Sequence, residues 1–180
     1  MVSPAVSRSV MAILSKTYGT QDFDGAREDV ERLLTQLKMT VEGLQGQTTC
    51  SDKQWQAVLQ DLQLQTKEFV SDAKRLVAST SGPRELAAEP LHAAMHSLAR
   101  LLLHSQAVMT AMRSVHHAQH VGFQVIKVTT AFKSTLAAGD AAVAKPRNDP
   151  HVIYLMRQAQ YLAGLLSTLL TTLTTLQQGL

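Results

Sequence analysis

His92 and His96 stand four residues apart, and His116, His117 and His120 crowd a short stretch further on. On a helix a four-residue step puts two imidazoles on one face, the spacing at which a pair of ring nitrogens can bind a metal. Bundle metal sites of the carboxylate type also need inward glutamates, often as Glu-x-x-His pairs. Between Glu89 and Asp140 the chain has no acidic residue at all. His92 and His96 also follow Leu91 and Met95 by one position, so they flank an apolar stripe instead of sitting in it. They are expected to be surface side chains that hold no metal, haem or other cofactor. Nucleophilic chemistry finds no better footing. Cys50, the single cysteine, lies in a polar stretch with no histidine near it in sequence, and it has no partner for an internal disulfide. No Gly-rich phosphate loop, no G-x-S-x-G and no H-E-x-x-H occurs. Glu28 and Asp29 read as helix-start charges. No catalytic residue is assigned, and the expectation is a protein that is not an enzyme.

Charge is distributed unevenly. Residues 1–90 hold ten Lys/Arg against twelve Asp/Glu, whereas residues 91–180 hold seven against two, together with all seven histidines. Arg100, Arg113, Lys127 and Lys133 therefore have no acidic neighbour on their own helices. A basic half fits an acidic partner such as filamentous actin, an anionic membrane surface or an acidic peptide. These four cations are the candidate partner-binding residues, and binding through them should weaken as salt rises. Nucleic acid is not expected. The competing reading is a Gln/Ser/Thr-rich surface that simply carries few charges.

The elements that must position these groups follow from apolar periodicity. Val152, Leu155, Ala159, Leu162, Leu166, Leu169, Leu173 and Leu176 step by three and four residues, one stripe of a helix. Trp55, Leu59, Leu62, Thr66, Phe69, Ala73 and Leu76 repeat the pattern, as do Leu91, Met95, Leu98, Leu102, Ser105, Met109 and Met112. A stripe cannot bury itself, so these helices must pack on one another.

Boundaries come from caps and breakers. A short helix is expected from Pro4 to about Thr17, and a second from Asp24 as N-cap to a stop at Gly46. Ser51 should cap a third, from Asp52 to about Ser79. Ser81–Pro83 breaks the chain, and the next helix starts at Arg84, or at Pro90, and runs to about Val115. Another follows, burying Val121, Val125, Val128, Phe132 and Leu136 and ending at Gly139. Asp149 and Pro150 should open the last. The expected fold is all-α, an up-and-down antiparallel bundle of four or five long amphipathic helices plus a short N-terminal helix. Residues 1–23 would form the short helix and connector, and residues 24–180 the bundle.

Composition agrees. A chain of 180 residues fits one domain with a real core, and 4% aromatic content requires that core to be aliphatic. No apolar run approaches the roughly 18 residues of a membrane span. Tyr161 to Leu170, the longest candidate, is broken by Gly164, Ser167 and Thr168. The N-terminus lacks the basic start and sustained apolar core of a secretory signal. A cytoplasmic domain is expected.

Long amphipathic helices with Ala, Ser and Thr diluted into their seams, as in Lys67–Thr80 and Leu91–Met109, resemble the bundles of the talin, vinculin and α-catenin group and of focal-adhesion-targeting domains. That likeness covers architecture over most of the chain and transfers no functional residue. It implies a scaffold at the cell cortex, adhesion sites or cytoskeleton that binds actin or a partner's amphipathic helix. The alternative is an amphipathic bundle that meets a lipid or membrane surface.

Overall fold

The computed structural model describes residues 4–19, 22–46 and 51–179. Cys50 lies outside them. Among the described residues six α-helices follow one another: α1 (Pro4–Leu14), α2 (Phe23–Glu42), α3 (Asp52–Ser79), α4 (Ala88–Ala111), α5 (Val115–Ala142) and α6 (Pro150–Gly179), with a 3-10 turn over Arg84–Ala87. Among the described residues there is no strand. The fold is an all-α bundle of five long helices and a short N-terminal one.

Local chemistry accounts for most helix ends. Ser51 accepts from the Gln54 backbone N–H at 3.2 Å while the Gln54 side chain accepts from the Ser51 N–H at 3.1 Å, a reciprocal capping box. Asp149 Oδ1 accepts from the His151 N–H at 2.8 Å as Pro150 begins α6. Pro90 falls in the first turn of α4, where its missing N–H costs nothing.

Several ends differ from expectation. α1 stops at Leu14, short of Thr17. α2 starts one residue before Asp24 because Phe23, only 1% exposed, is drawn into the core. Asp24 lies inside the first turn beside Arg27, and Asp22 occupies the cap position with its carboxylate turned back to the Gly19 N–H at 2.6 Å. α2 also ends at Glu42, before Gly46, which is needed for another reason. A Cβ there would stand 2.6 Å from the Arg113 carbonyl oxygen, so only glycine lets this segment approach the α4–α5 turn. α4 ends at Ala111, and Ser114 caps α5 by accepting from the His117 N–H at 3.3 Å. α5 runs three residues past Gly139.

Side-chain pairings give the register. Arg75 meets Glu89, Asp72 meets Ser97 and Glu68 meets Arg100, so α3 and α4 are antiparallel. Arg27 faces Asp140, Glu31 pairs with Lys133, and Gln119 donates to the Val41 carbonyl, so α2 and α5 are antiparallel too. Gln63 reaches Gln177 near the end of α6 while Val77 packs with Leu155 near its start, so α3 and α6 are antiparallel as well. α4 and α5 pack on each other at the centre, with α1, α2, α3 and α6 around them.

The three sequence stripes form the seams. Leu59, Leu62, Phe69, Leu98, Leu102, Phe132, Leu169 and Leu173 are fully buried in one core, which also takes Val6, Val10, Ile13 and Tyr18 from the first 23 residues. Phe69 and Phe132 meet edge to face at 5.1 Å. Gln106 breaks the pattern: it is fully buried, and neither its side-chain nitrogen nor its oxygen has a partner among the described residues.

Leu169→Asp should unfold the protein, since an unpaired buried carboxylate costs several kcal/mol against a total stability of about 5–15 kcal/mol. Retention of the helical circular-dichroism signal and melting temperature would show that the seam is misplaced. Gln106→Met, nearly the same shape, should relieve an orphaned amide worth roughly 1–3 kcal/mol and raise the melting temperature by several degrees. A fall in that temperature would show that the amide is satisfied.

Candidate functional site

α6 supplies the least charged surface of the molecule. From Pro150 to Gly179 it has one Lys/Arg, Arg157, and no acid. Its leucine stripe faces inward, leaving Ile153, Tyr154, Met156 and Tyr161 exposed. Farther along, Thr168, Thr171, Thr174 and Thr175 are exposed, and each donates its hydroxyl to the carbonyl four residues back, at 2.9–3.0 Å. Those hydroxyls are spent within the helix.

Where α6 runs beside α3 the two do not close fully. Val70, Ala73, Val77 and Ala78 on one side and Met156, Ala159, Leu162, Ala163 and Leu166 on the other line an open groove of about 240 Å3. Alanines at Ala73, Ala159 and Ala163 keep it open, because larger residues at those seam positions would fill it. Its one charged lining residue is Lys74. Lys67 stands two turns earlier on the same stripe of α3, whereas Arg157 points away from the groove on the outer side of α6. Lys67 and Lys74 form no ion pair among the described residues, whereas Glu68 and Asp72 of α3 are turned toward α4, where Arg100 and Ser97 engage them. The groove rim is therefore positive.

The four candidate cations do not assemble into a site. Arg100 pairs with Glu68 of α3 at 3.1 Å, and Lys133 pairs with Glu31 of α2, holding that carboxyl below its usual range through their hydrogen bond. Arg113 lies at the α4–α5 turn, where it lines a cavity of about 270 Å3 with Asp52, Trp55, Met112 and His117. Lys127 is exposed on α5. Nor do α4 and α5 present a common outer face, since only Glu89 is exposed along the whole of α4. Acidic partners for Arg100 and Lys133 come from neighbouring helices, invisible to a reading confined to each cation's own helix.

His116, His117 and His120 are exposed, but His92 and His96 are not plain surface groups. The rings of His92 and His96 lie 4.1 Å apart, and both are half-buried. His92 Nδ1 is buried without a partner among the described residues, while His96 Nε2 sits 3.0 Å from the Lys16 carbonyl oxygen. The cover comes from the connector after α1, which sequence spacing on α4 could not reveal. Burial, and then the neighbouring His96, holds the His92 imidazole below its ordinary pKa. Among the described residues no third His, Cys, Asp or Glu joins them as a ligand set.

That connector is tied to α2 through Asp29. This carboxylate, 4% exposed, accepts from Lys16 Nζ at 2.9 Å, from the Tyr18 hydroxyl at 2.7 Å and from Arg32. Burial pushes its pKa up, but the three donors outweigh burial and leave it below the usual carboxylate value. Burial and the same hydrogen bond push the Tyr18 hydroxyl in the opposite direction, upward.

Compared with known proteins, the chain matches no family model and no curated sequence. Among the described residues, no helix is long and apolar enough to cross a membrane.

Two consequences can be measured. Arg100→Gln and Lys133→Gln should each change stability by less than about 1 kcal/mol, as expected for exposed pairs. A larger loss in denaturant titration would give those pairs a structural role. Because Asp29 is more acidic folded than unfolded, its contribution is present above about pH 4 and lost as pH falls through its folded value. Asp29→Asn should lower stability near neutrality and flatten the acid limb of the pH–stability curve. An unchanged limb would place the acid sensitivity elsewhere.

Proposed function

We propose that this chain is a non-enzymatic protein-interaction module that receives a partner's amphipathic helix in the groove between α3 and α6. The observation that carries this reading is a groove lined almost wholly by apolar side chains and left open by alanines. An entering helix would place its own apolar stripe against Val70, Ala73, Ala159 and Ala163, extending the packing the bundle already uses. Unpaired Lys67 and Lys74 beside the groove favour a partner helix with acidic flanks. A second copy of this chain suits the groove less well, because two such rims would repel. A scaffold role at the cell cortex or adhesion sites, the role the talin, vinculin and α-catenin likeness implies, belongs to the same proposal. Filamentous actin and anionic membranes are the competing partners.

Two synthetic helical peptides with leucines at i, i+3, i+4 and i+7 provide the probes, one flanked by Asp/Glu and the other by Lys/Arg. In NMR titrations the acid-flanked peptide should bind and shift the resonances of Val70, Ala73, Ala159 and Ala163. Ala163→Trp fills the groove from an exposed position, so it should cost at least about tenfold in affinity, some 1.4 kcal/mol, with little change in melting temperature. Neutralising Lys67 and Lys74 together should weaken binding and its salt dependence. Equal binding of both peptides, or shifts confined to another face, would overturn the groove assignment. Co-sedimentation with actin or anionic vesicles that is lost on neutralising Arg100, Arg113, Lys127 and Lys133 would favour the competing readings.

A further inference from the structure

The C-terminal end of α1 and the residues after it are fastened on two sides by the same short segment. On the α2 side, Lys16 Nζ and the Tyr18 hydroxyl both bind Asp29, at 2.9 and 2.7 Å. On the α4 side, the Lys16 carbonyl oxygen lies 3.0 Å from His96 Nε2, and the Tyr18 ring lies 6.4 Å from the His92 ring. Beneath Lys16 and Tyr18 the two imidazoles lie 4.1 Å apart, centroid to centroid.

Such a pair has only one comfortable state. Two neutral imidazoles at that distance pack as aromatic rings, whereas two imidazolium ions repel in a half-buried setting. Among the described residues His92 Nδ1 has no hydrogen-bond partner, so a proton added there meets no acceptor among them. Protonating His96 on its other nitrogen leaves its contact with Lys16 in place but adds a charge beside His92. The surrounding charged groups offer little compensation. Asp29 already serves Lys16, Arg32 and Tyr18, and Asp22 is bonded to the Gly19 N–H. Glu89, one turn earlier on α4, is paired with Arg75 and largely exposed. Lys16 and Arg32 are themselves cations.

We propose that His92 and His96 form an acid-sensitive latch, which when neutral clamps the segment after α1 against α4 and when doubly protonated releases it. Release would uncover the apolar surface covered by Val6, Val10 and Ile13, which are at most 2% exposed in the closed form. The direction follows from linkage. A His92 imidazole freed from this setting takes up its proton more readily than the clamped one, which burial and the neighbouring His96 ring hold below its ordinary value, so falling pH favours the released state. Asp29 titrates far below the imidazole range and stays ionised through it. The latch is independent of the α3–α6 groove.

Hydrogen exchange of the intact chain at about pH 7.5 and about pH 5.5, each corrected for intrinsic chemical exchange, tests the latch. Acidification should cut protection of α1 by about tenfold or more, while α3, α5 and α6 change by less than about twofold. His92→Phe keeps a ring that cannot be charged, and with His96→Gln it should abolish the acid effect. Equal protection of α1 at both pH values would overturn the latch. So would a uniform loss across all helices, or an acid effect that persists in the double variant. If that variant does not fold, His96→Gln alone serves, since it removes one of the two charges and should at least halve the acid effect.

Discussion

α4, at the centre of the bundle, is buried on nearly every side, with only Glu89 exposed along its length, and part of the distribution of charge in the chain depends on that constraint. A short carboxylate on such a helix cannot reach water and costs several kcal/mol without a partner. Acids are therefore missing from α4 beyond Glu89, whereas α5, which keeps His116, His120, Phe123, Lys127 and Thr130 exposed, lacks them up to Asp140 without that cause. Arginine and lysine escape the rule because their long stems run along apolar surface and carry the charge outward. Arg100 and Lys133 do this, ending on Glu68 of α3 and Glu31 of α2. What looks in the sequence like a basic half built for an acidic partner is, at these two positions, an internal hairpin whose charges are answered by the helices outside it.

The outer helices consequently differ in what they can do. α2 and α3 carry the acids and give the register. α1 packs Val6, Val10 and Ile13 into the core, and the segment after it adds contacts with a buried carboxylate and a close pair of imidazoles to that apolar packing. α6 is held mainly by its leucine stripe, with Gln63 and Gln124 bonding to Gln177 and Thr172, and alongside α3 it leaves a groove. The proposed binding surface and the proposed latch thus belong to two peripheral helices.

The bundle could be read from the chain because its signals are local. A three-four repeat needs no knowledge of neighbours, and Ser51 and Asp149 cap helices through atoms two or three residues away. The errors share one cause, contact with something distant in sequence. α2 starts early because Phe23 has a core to enter, and Gly46 marks a close approach to Arg113, not a helix stop. His92 and His96 looked like surface groups because the residues that cover them come from Lys16 and Tyr18, more than seventy positions away. The groove was hidden for the same reason. Ala159 occupies a proper seam position, and only the presence of Ala73 across from it turns two small residues into an opening.

The exposed threonines of α6 alter how this surface meets water. A hydroxyl bonded to the carbonyl one turn back holds a hydration shell less strongly than a free one, and it turns its methyl group outward. Removing water from this stretch therefore requires breaking few strong solvent contacts and stripping no ions. Whatever approaches α6 meets a β-branched hydrocarbon sheath with a low dehydration barrier, on a helix whose threonines would look hydrophilic in a simple inventory. Such a surface offers shape and few free hydrogen-bonding groups.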